Sequence, residues 1–395
     1  FFGGMRPGDN RHANSIVAID AETGAVRWAF QTVHHDVWDY DVPAAPLLAT
    51  IRKDGRDRDV VISATKTGLV FTLDRDTGAP VFAVEERAVP QGAAPGEALS
   101  PTQPFPVKPP GLAPTVVKPE DAWGLTPLDR GACRKAIASA RAEGLFTPPS
   151  EQGTILYPFT GGGANWGGGA FDPSTNIYYV NTSSLMHLIT LVPRARTDEE
   201  WHGVKNGEQA PMRGAPYAMR RQTLVSPLGL PCNPPPWGLL HAIDMTTGDI
   251  LWQSVLGTTE ELAPLGLSLR TGTPNLGGPL ATGGGLVFIS AAMDSYLRAF
   301  DSRSGAELWS SKLPAGGQAG PMSYEWEGRQ YVVIAAGGHG DAGTRRGDFV
   351  VAYALGDKEG AALDRPGRRF TLNLVLLSAG LLALVIVARR LLRRR

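Results

Sequence analysis

Apolar residues along the chain fall mostly into short runs, each ending in a polar turn. Ser15-Ile16-Val17-Ala18-Ile19 and Leu69-Val70-Phe71-Thr72-Leu73 are examples. Runs this short, flanked by Gly, Asp and Asn, predict strands rather than helices. The turns themselves recur in a common pattern. Three segments fit A-x-D-x-x-[ST]-G-x-x-x-W: Ala18–Trp28 (AIDAETGAVRW), Ala242–Trp252 (AIDMTTGDILW) and Ala299–Trp309 (AFDSRSGAELW). Thr72–Phe82 (TLDRDTGAPVF) is a fourth copy with Phe for Trp, and Phe171–Val180 (FDPSTNIYYV) is a looser fifth. Each position has a physical task. Asp caps a tight turn, Gly four residues later supplies a positive φ, and the aromatic ends the next strand where it can dock on a neighbouring unit. Asp20 and Asp74 lie 54 residues apart and Asp244 and Asp301 lie 57 apart, with wider gaps elsewhere. Units of fifty-odd residues with several short strands suit the blades of a β-propeller. Unrelated hairpins in a β-sandwich would not keep the aromatic at a fixed offset. The expectation is an all-β fold, an incomplete propeller of about five blades over residues 1–358 with a terminal fragment at 347–355.

The wide gaps read as insertions. Residues 88–150 are rich in Pro, with PTQPFPVKPPGLAP at 101–114 and a helix candidate near Arg134–Glu143. Residues 192–238 are equally irregular and end in NPPPWG. Long loops on a rigid scaffold cover one face and shape a pocket. The pattern changes again after a linker at 359–369. Phe370–Ala388 is nineteen residues without a charge, and at ~1.5 Å per residue it just spans a hydrocarbon core of ~30 Å. Arg368 and Arg369 precede it and five arginines come after it within 389–395. The arginine excess predicts a single transmembrane helix at 370–388, a basic cytoplasmic tail at 389–395, and the long N-terminal part outside. The opening FFGGMRPGDN has no charged n-region or apolar h-region, so no signal peptide is read there and the true N-terminus is expected upstream, or the chain is a fragment.

Composition narrows the classes. Of 395 residues, 38 Lys+Arg balance 38 Asp+Glu, which argues against a nucleic-acid binder. Apolar residues at 43% exclude a disordered chain. The 48 glycines and 32 prolines keep to no G-X-Y period, so they mark turns and not collagen. The two cysteines form no CxxC or CxxCH, which excludes haem-c attachment within the chain. Cys133 and Cys232 each sit in an irregular insertion; buried thiols are expected, with a single disulfide as the alternative.

Several longer motifs carry a resemblance. They are HHDVWDYDVPAAP (His34–Pro46), SATKTG (Ser63–Gly68), VEERAVPQG (Val84–Gly92), LSPTQPF (Leu99–Phe105), FTPPSEQGT (Phe146–Thr154) and AGGHGD (Ala336–Asp341). All resemble the membrane-bound quinoprotein dehydrogenases, the PQQ-dependent glucose, quinate, shikimate and polyol enzymes of the bacterial periplasm. The resemblance runs from the first residues to about Leu355. It implies the C-terminal part of an eight-bladed propeller, completed by a complementary N-terminal chain or segment. It implies oxidation of a sugar, polyol or cyclic hydroxy acid, with electrons passed to ubiquinone in the inner membrane and the propeller on the periplasmic side.

The resemblance also implies roles for single residues. Asp39, first carboxylate of WDYD, maps onto the general base that takes the substrate hydroxyl proton. Asp41, two residues on, would share its face on a strand and resembles an extra metal-ligand aspartate. Lys66 maps onto the lysine that contacts the ortho-quinone of PQQ, where a cation stabilises negative charge as hydride arrives. Asn165 and Trp166, between glycines, match a pair near the cofactor. Asn181 matches another polar contact, and Asp294 an acidic partner of the lysine. PQQ in this family is held with Ca²⁺ or Mg²⁺, and Asp39 and Asp41 are the ligands expected from this chain. His34, His35 and His339 read as loop-ordering residues. The rival readings are a non-catalytic propeller scaffold that keeps PQQ-like repeats, and an inactive fragment of the dehydrogenase.

Overall fold

The repeated turns form as their residues require. Asp20 Oδ1 accepts hydrogen bonds from the Glu22 and Thr23 amides and the Thr23 hydroxyl, while Gly24 sits at φ +71°. Asp74 with Gly78 and Asp301 with Gly305 repeat the arrangement. Each carboxylate satisfies turn amides that no strand partner could reach. In the looser copy Asn176 takes the left-handed position in place of Gly, at φ +60°.

The structure is a computed structural model that describes residues 1–197, 207–263, 266–340 and 342–355. It is all-β and propeller-like, with one α-helix among the described residues. β1 (Ser15–Ile19) pairs with β2 (Val26–Gln31), and β3 (Leu47–Lys53), β4 (Arg56–Ala64) and β5 (Val70–Asp74) form a meander. β6 (Val84–Ala88) and β7 (Thr102–Pro106) form a hairpin. The next strands are β8 (Thr154–Leu156), β9 (Gly169–Asp172), β10 (Ile177–Ser183), β11 (His187–Pro193), β12 (Gly207–Ala210), β13 (Tyr217–Thr223), β14 (Gly238–Asp244) and β15 (Ile250–Val255). They divide between two antiparallel sheets, ordered β15-β14-β10-β9 and β12-β13-β11-β8. β16 (Leu280–Ala281), β17 (Leu286–Ile289), β18 (Tyr296–Asp301) and β19 (Glu307–Lys312) make a four-stranded sheet, and β20 (Met322–Trp326), β21 (Arg329–Ala336) and β22 (Phe349–Ala354) a three-stranded one.

The repeat aromatics join the sheets in succession. Trp28, on β2, lies over Gly78 in the turn after β5 and donates its indole N–H to the Arg75 carbonyl at 3.0 Å. Phe82 lies against Gly248 in the turn between β14 and β15. Trp252, on β15, covers Gly305 between β18 and β19 and donates to the Ser302 carbonyl at 3.0 Å. Trp309, on β19, packs edge-on against Tyr353 of β22. Cores fill the spaces between neighbours. β10 is buried along its whole length because alternate residues serve opposite interfaces: Tyr178 and Val180 pack with Ile62 and Val70, and Tyr179 packs with Val287 and Phe300.

Several expectations change. The looser fifth copy is not a separate unit: its turn joins β9 to β10, in the same sheet as the Ala242–Trp252 copy. The 192–238 segment is not irregular throughout, since β12 and β13 lie within it and pair with β11 and β8 in one sheet. The helix lies earlier than Arg134–Glu143, at α1 (Pro127–Ala138), because Thr126 caps it by accepting from the Asp129 amide and Pro127 opens its first turn. Cys133, on the buried face of α1, forms a disulfide with Cys232 across a Cα separation of 5.3 Å, so neither is the free thiol expected. No helix among the described residues is long and apolar enough to cross a membrane. The linker at 359–369, the span at 370–388 and the tail at 389–395 lie outside them.

Candidate functional site

The His34–Pro46 motif is a loop, not a strand, and is anchored at many points. Gln103 bridges the His34 amide and carbonyl at 2.7 Å each. Trp38 donates its indole N–H to the Thr147 carbonyl at 2.8 Å, and Tyr40 its hydroxyl to the Pro158 carbonyl at 2.6 Å. His35 is buried against Glu97 at 2.8 Å, and His34 reaches Gln31 and Glu86, so both histidines order the loop as expected. Asp36 is the hub. Its buried carboxylate accepts from the Trp38 and Tyr40 amides and the Asn14 side chain, at 2.8, 3.0 and 3.1 Å, and burial raises its pKa. The amides it fixes flank Asp39, which is held at φ +66°, a left-handed conformation uncommon for a residue with a Cβ.

Asp39 and Asp41 therefore meet through Lys66 and not through a shared strand face. The mostly buried Lys66 ammonium lies 3.2 Å from Asp39 Oδ1 and 2.5 Å from Asp41 Oδ1. Burial pushes the Asp39 pKa up to about 6; Lys66 opposes that rise and the Asp41 charge adds to it. The carboxylate is thus largely ionised at neutral pH yet close to accepting a proton, as a general base needs.

The loop carrying Asn165 and Trp166 lies directly on Lys66. The Gly163 amide donates to the Lys66 carbonyl at 2.7 Å, and a Cβ on Gly162 would come within 2.7 Å of Lys66 Cα. Only glycine lets the two loops approach this closely. Asn165 spends its side chain inside the loop, donating to the Gly161 carbonyl and accepting from the Trp166 amide. Trp166 is 59% exposed, a bare indole face on an otherwise ordered loop, with the His339 ring 6.0 Å away. Asn181 closes this region from β10, donating to Asn275 and to the Gly277 carbonyl, while its buried Oδ1 has no partner. The buried His339 Nδ1 is likewise unpartnered.

Asp294 differs from expectation. It is fully buried, paired with Arg298 at 3.0 Å and bonded to the amide and hydroxyl of Thr258. Its carboxylate is engaged there, and the partners the lysine has are Asp39 and Asp41. For a metal, Asp39 and Asp41 offer two oxygen donors, but no group of three or more His, Cys, Asp or Glu among the described residues forms a cluster. The remaining ligands of a divalent cation would have to be amide or carbonyl oxygens or come from outside the described residues.

Sequence reasoning missed Asp36, Thr160 and Arg221. Asp36 stood inside the quoted motif. Arg221 comes from β13 in an insertion that carried no motif, yet its Nη1 lies 3.7 Å from Asp39 Oδ2 and donates to Thr160 Oγ1 at 2.7 Å. Thr160 in turn meets His187, which burial and the Arg221 charge hold neutral, with a pKa of about 3.

The family description "Glucose/ethanol/alcohol dehydrogenase, beta-propeller domain", of the PQQ family, matches residues 1–332. The chain is 43% identical over 369 residues to the quinoprotein glucose dehydrogenase of Escherichia coli, covering 90% of this chain and 46% of the relative. It is 41% identical over 368 residues to the quinate/shikimate dehydrogenase (quinone) of Acinetobacter baylyi, covering 90% and 45%. It is 41% identical over 379 residues to the glycerol dehydrogenase large subunit of Gluconobacter oxydans, covering 90% and 50%. The chain thus spans about half the length of the curated relatives it matches. Among solved structures, the quinohemoprotein alcohol dehydrogenase of Comamonas testosteroni superposes with a TM-score of 0.55 at 23% identity, over 90% of this chain and 44% of that one, and agrees in fold. The matched residues include the Asp39–Lys66 pair and every repeat turn, and the chain belongs to the PQQ-dependent quinoprotein dehydrogenase family.

Proposed function

We propose that this chain carries the catalytic base and part of the cofactor-facing surface of a dehydrogenase that oxidises the CH–OH group of a sugar, polyol or cyclic hydroxy acid. The observation that carries the reading is the Asp39–Lys66–Asp41 cluster, in which burial brings Asp39 to a pKa of about 6 beside a fixed ammonium. Asp39 accepts the substrate hydroxyl proton. Lys66 steadies the resulting charge at the reacting centre and faces the quinone oxygens. The exposed Trp166 ring offers a flat apolar surface, and the unpartnered Asn181 Oδ1 and His339 Nδ1 are buried polar atoms that lack a bonding partner. These features fit a planar, polar-edged quinone, and PQQ when bound supplies the hydride acceptor. A divalent cation in the complete protein would draw on Asp39 and Asp41 together with ligands beyond the described cluster.

Electrons then pass to ubiquinone at the inner membrane, with the propeller on the periplasmic side and a complementary segment completing the ring. The uncharged run at 370–388 and its flanking arginines support that placement, and the quinone in the name of the quinate/shikimate relative supports the acceptor. The test is a reconstitution. Protein mixed with PQQ and Ca²⁺ or Mg²⁺ is expected to quench its tryptophan fluorescence and to reduce dye in the presence of glucose, glycerol or quinate. Asp39→Asn should keep the quench and lose the dye reduction. Absence of PQQ binding in the wild type would leave the scaffold and the inactive-fragment readings.

A further inference from the structure

The structure assigns a substrate-selecting role to Arg221: it binds the oxygen on the carbon next to the one whose hydroxyl Asp39 deprotonates. This rests on the reading of Asp39 as the base. Arg221 stands directly opposite Glu208 in the β12–β13 ladder and forms an ion pair with it. A cross-strand pair of that kind would be complete with Glu208 alone. Here the other arm of the guanidinium turns away from the sheet, donates to Thr160 Oγ1 at 2.7 Å and stops 3.7 Å from Asp39 Oδ2.

The distance matters. At 3.7 Å the pair attracts but is not hydrogen-bonded. Lys66 already occupies the opposite carboxylate oxygen, Oδ1, at 3.2 Å. A hydroxyl oxygen that docks on Asp39 Oδ2 therefore has a guanidinium arm beside it, with N–H donors to spare. The two oxygens of a vicinal diol or a 2-hydroxy acid are separated by roughly one hydrogen-bond length of about 2.8 Å. Such a pair bridges Asp39 and Arg221, one oxygen to each. A simple alkanol satisfies Asp39 and leaves the guanidinium idle. The arm is also fixed in place before substrate arrives. Glu208 holds Nη2, Thr160 holds Nη1, and Thr160 is backed by His187, whose ring packs edge-on against Phe159 and stays neutral, so His187 adds no positive charge behind the guanidinium.

The experiment compares substrates that differ only in the neighbouring oxygen: glucose against 2-deoxyglucose, ethane-1,2-diol against ethanol, and cyclohexane-1,2-diol against cyclohexanol. Each is assayed for kcat/KM with PQQ-loaded wild type, Arg221→Gln and Arg221→Lys. For whichever pairs the wild type oxidises, the vicinal member is expected to be preferred by about tenfold to a hundredfold, the value of a hydrogen bond to a charged donor. Arg221→Gln should bring that preference down to within about threefold by slowing the vicinal member, and Arg221→Lys should retain part of it. PQQ-induced fluorescence quenching and the unfolding midpoint should not change. Equal loss on both members of a pair, or an unchanged preference, makes Arg221 a structural support and overturns the assignment. If the loaded wild type oxidises none of the six compounds, the dehydrogenase reading itself fails and the assignment goes with it.

Discussion

Four turn glycines make an internal experiment on how the sheets are joined. Gly24, Gly78, Gly248 and Gly305 sit in equivalent Asp-Gly turns with φ of +71°, +72°, +76° and +70°. Alanine at any of them meets the same backbone cost, about 1–2 kcal/mol for an L-residue in the left-handed region. Their surroundings differ. A Cβ on Gly24 would touch nothing within 4 Å, whereas on Gly78 it would lie 2.6 Å from the Trp28 ring and on Gly305 2.6 Å from the Trp252 ring. On Gly248 it would lie 2.8 Å from Lys108 Cβ and 3.0 Å from the Phe82 ring. Displacing a docked indole adds an overpacking cost of about 1–3 kcal/mol. It also strains a hydrogen bond worth about 1 kcal/mol, the Trp28 bond to Arg75 or the Trp252 bond to Ser302. Gly24→Ala is therefore expected to cost about 1–2 kcal/mol, and Gly78→Ala and Gly305→Ala about 3–6 kcal/mol, with Gly248→Ala between them. Guanidinium unfolding tracked by tryptophan fluorescence measures the series. Four equal losses would show that the aromatics decorate the turns without holding neighbouring sheets together.

Lys66→Met removes the cation that lowers the Asp39 pKa, so the acid limb of kcat/KM should move up from about 6, and at pH 7 the rate should fall as less Asp39 is ionised. Asp41→Asn removes a charge that raises it, so the limb should move down; shifts of one sign in both variants would refute the electrostatic account. His241 is fully buried between Thr182 and Gln253 with a pKa of about 3, below the unfolded value of 6.5. Its folded form excludes a proton that the unfolded chain binds, so its contribution is full above about 6.5 and falls by about 1.4 kcal/mol per pH unit below it; His187, also held at about 3, falls alongside it, and His241→Gln should halve the slope the two histidines produce together. Replacing both Cys133 and Cys232 by Ser should lower stability by about 4 kcal/mol, because the bridge closes a loop across 99 residues of sequence. A change under 1 kcal/mol by the same unfolding assay would mean that the unfolded chain is not the state the bridge constrains.

The repeats were readable because every residue in them acts locally. An Asp that caps, a Gly that turns and a Trp at a fixed offset need no knowledge of the rest of the chain. Even the docking order is consistent with the pattern, since Trp28, Phe82 and Trp252 each cover the turn glycine of a neighbouring sheet. The site was readable only in part. Asp39 and Lys66 stand 27 residues apart in the chain and were joined through the resemblance, not through any local rule. Asp294 gave no local signal either: Arg298 lies four residues on but across a turn into β18 and not on a helix, and its guanidinium engages the carboxylate expected near Lys66. Cys133 and Cys232 gave no such signal, because α1 and the loop after β13 meet only in the folded chain. The β-sheet in the 192–238 segment escaped notice for another reason. β13 reads YAMRRQT, in which Arg220, Arg221 and Gln222 mask the alternation that marks a strand.

The same masked strand explains how the chemistry divides between scaffold and insertion. The repeat strands fix Lys66: it comes directly after β4, and its backbone is pinned to the Gly162–Gly163 loop and to Asp41. They do not fix Asp39, which sits in an irregular loop at a left-handed φ and owes its pose to Asp36 and to Gln103, Thr147 and Pro158. The last three belong to the segment between β6 and β9, and Arg221 belongs to the sheet of β8, β11, β12 and β13. The repeat strands therefore place Lys66, with the Gly162–Gly163 loop against it, while the segments between them place Asp39 and Arg221. If Asp39 is the base as proposed, these segments are the first place where a change of substrate would register, while Lys66 with its glycine loop can stay as it is.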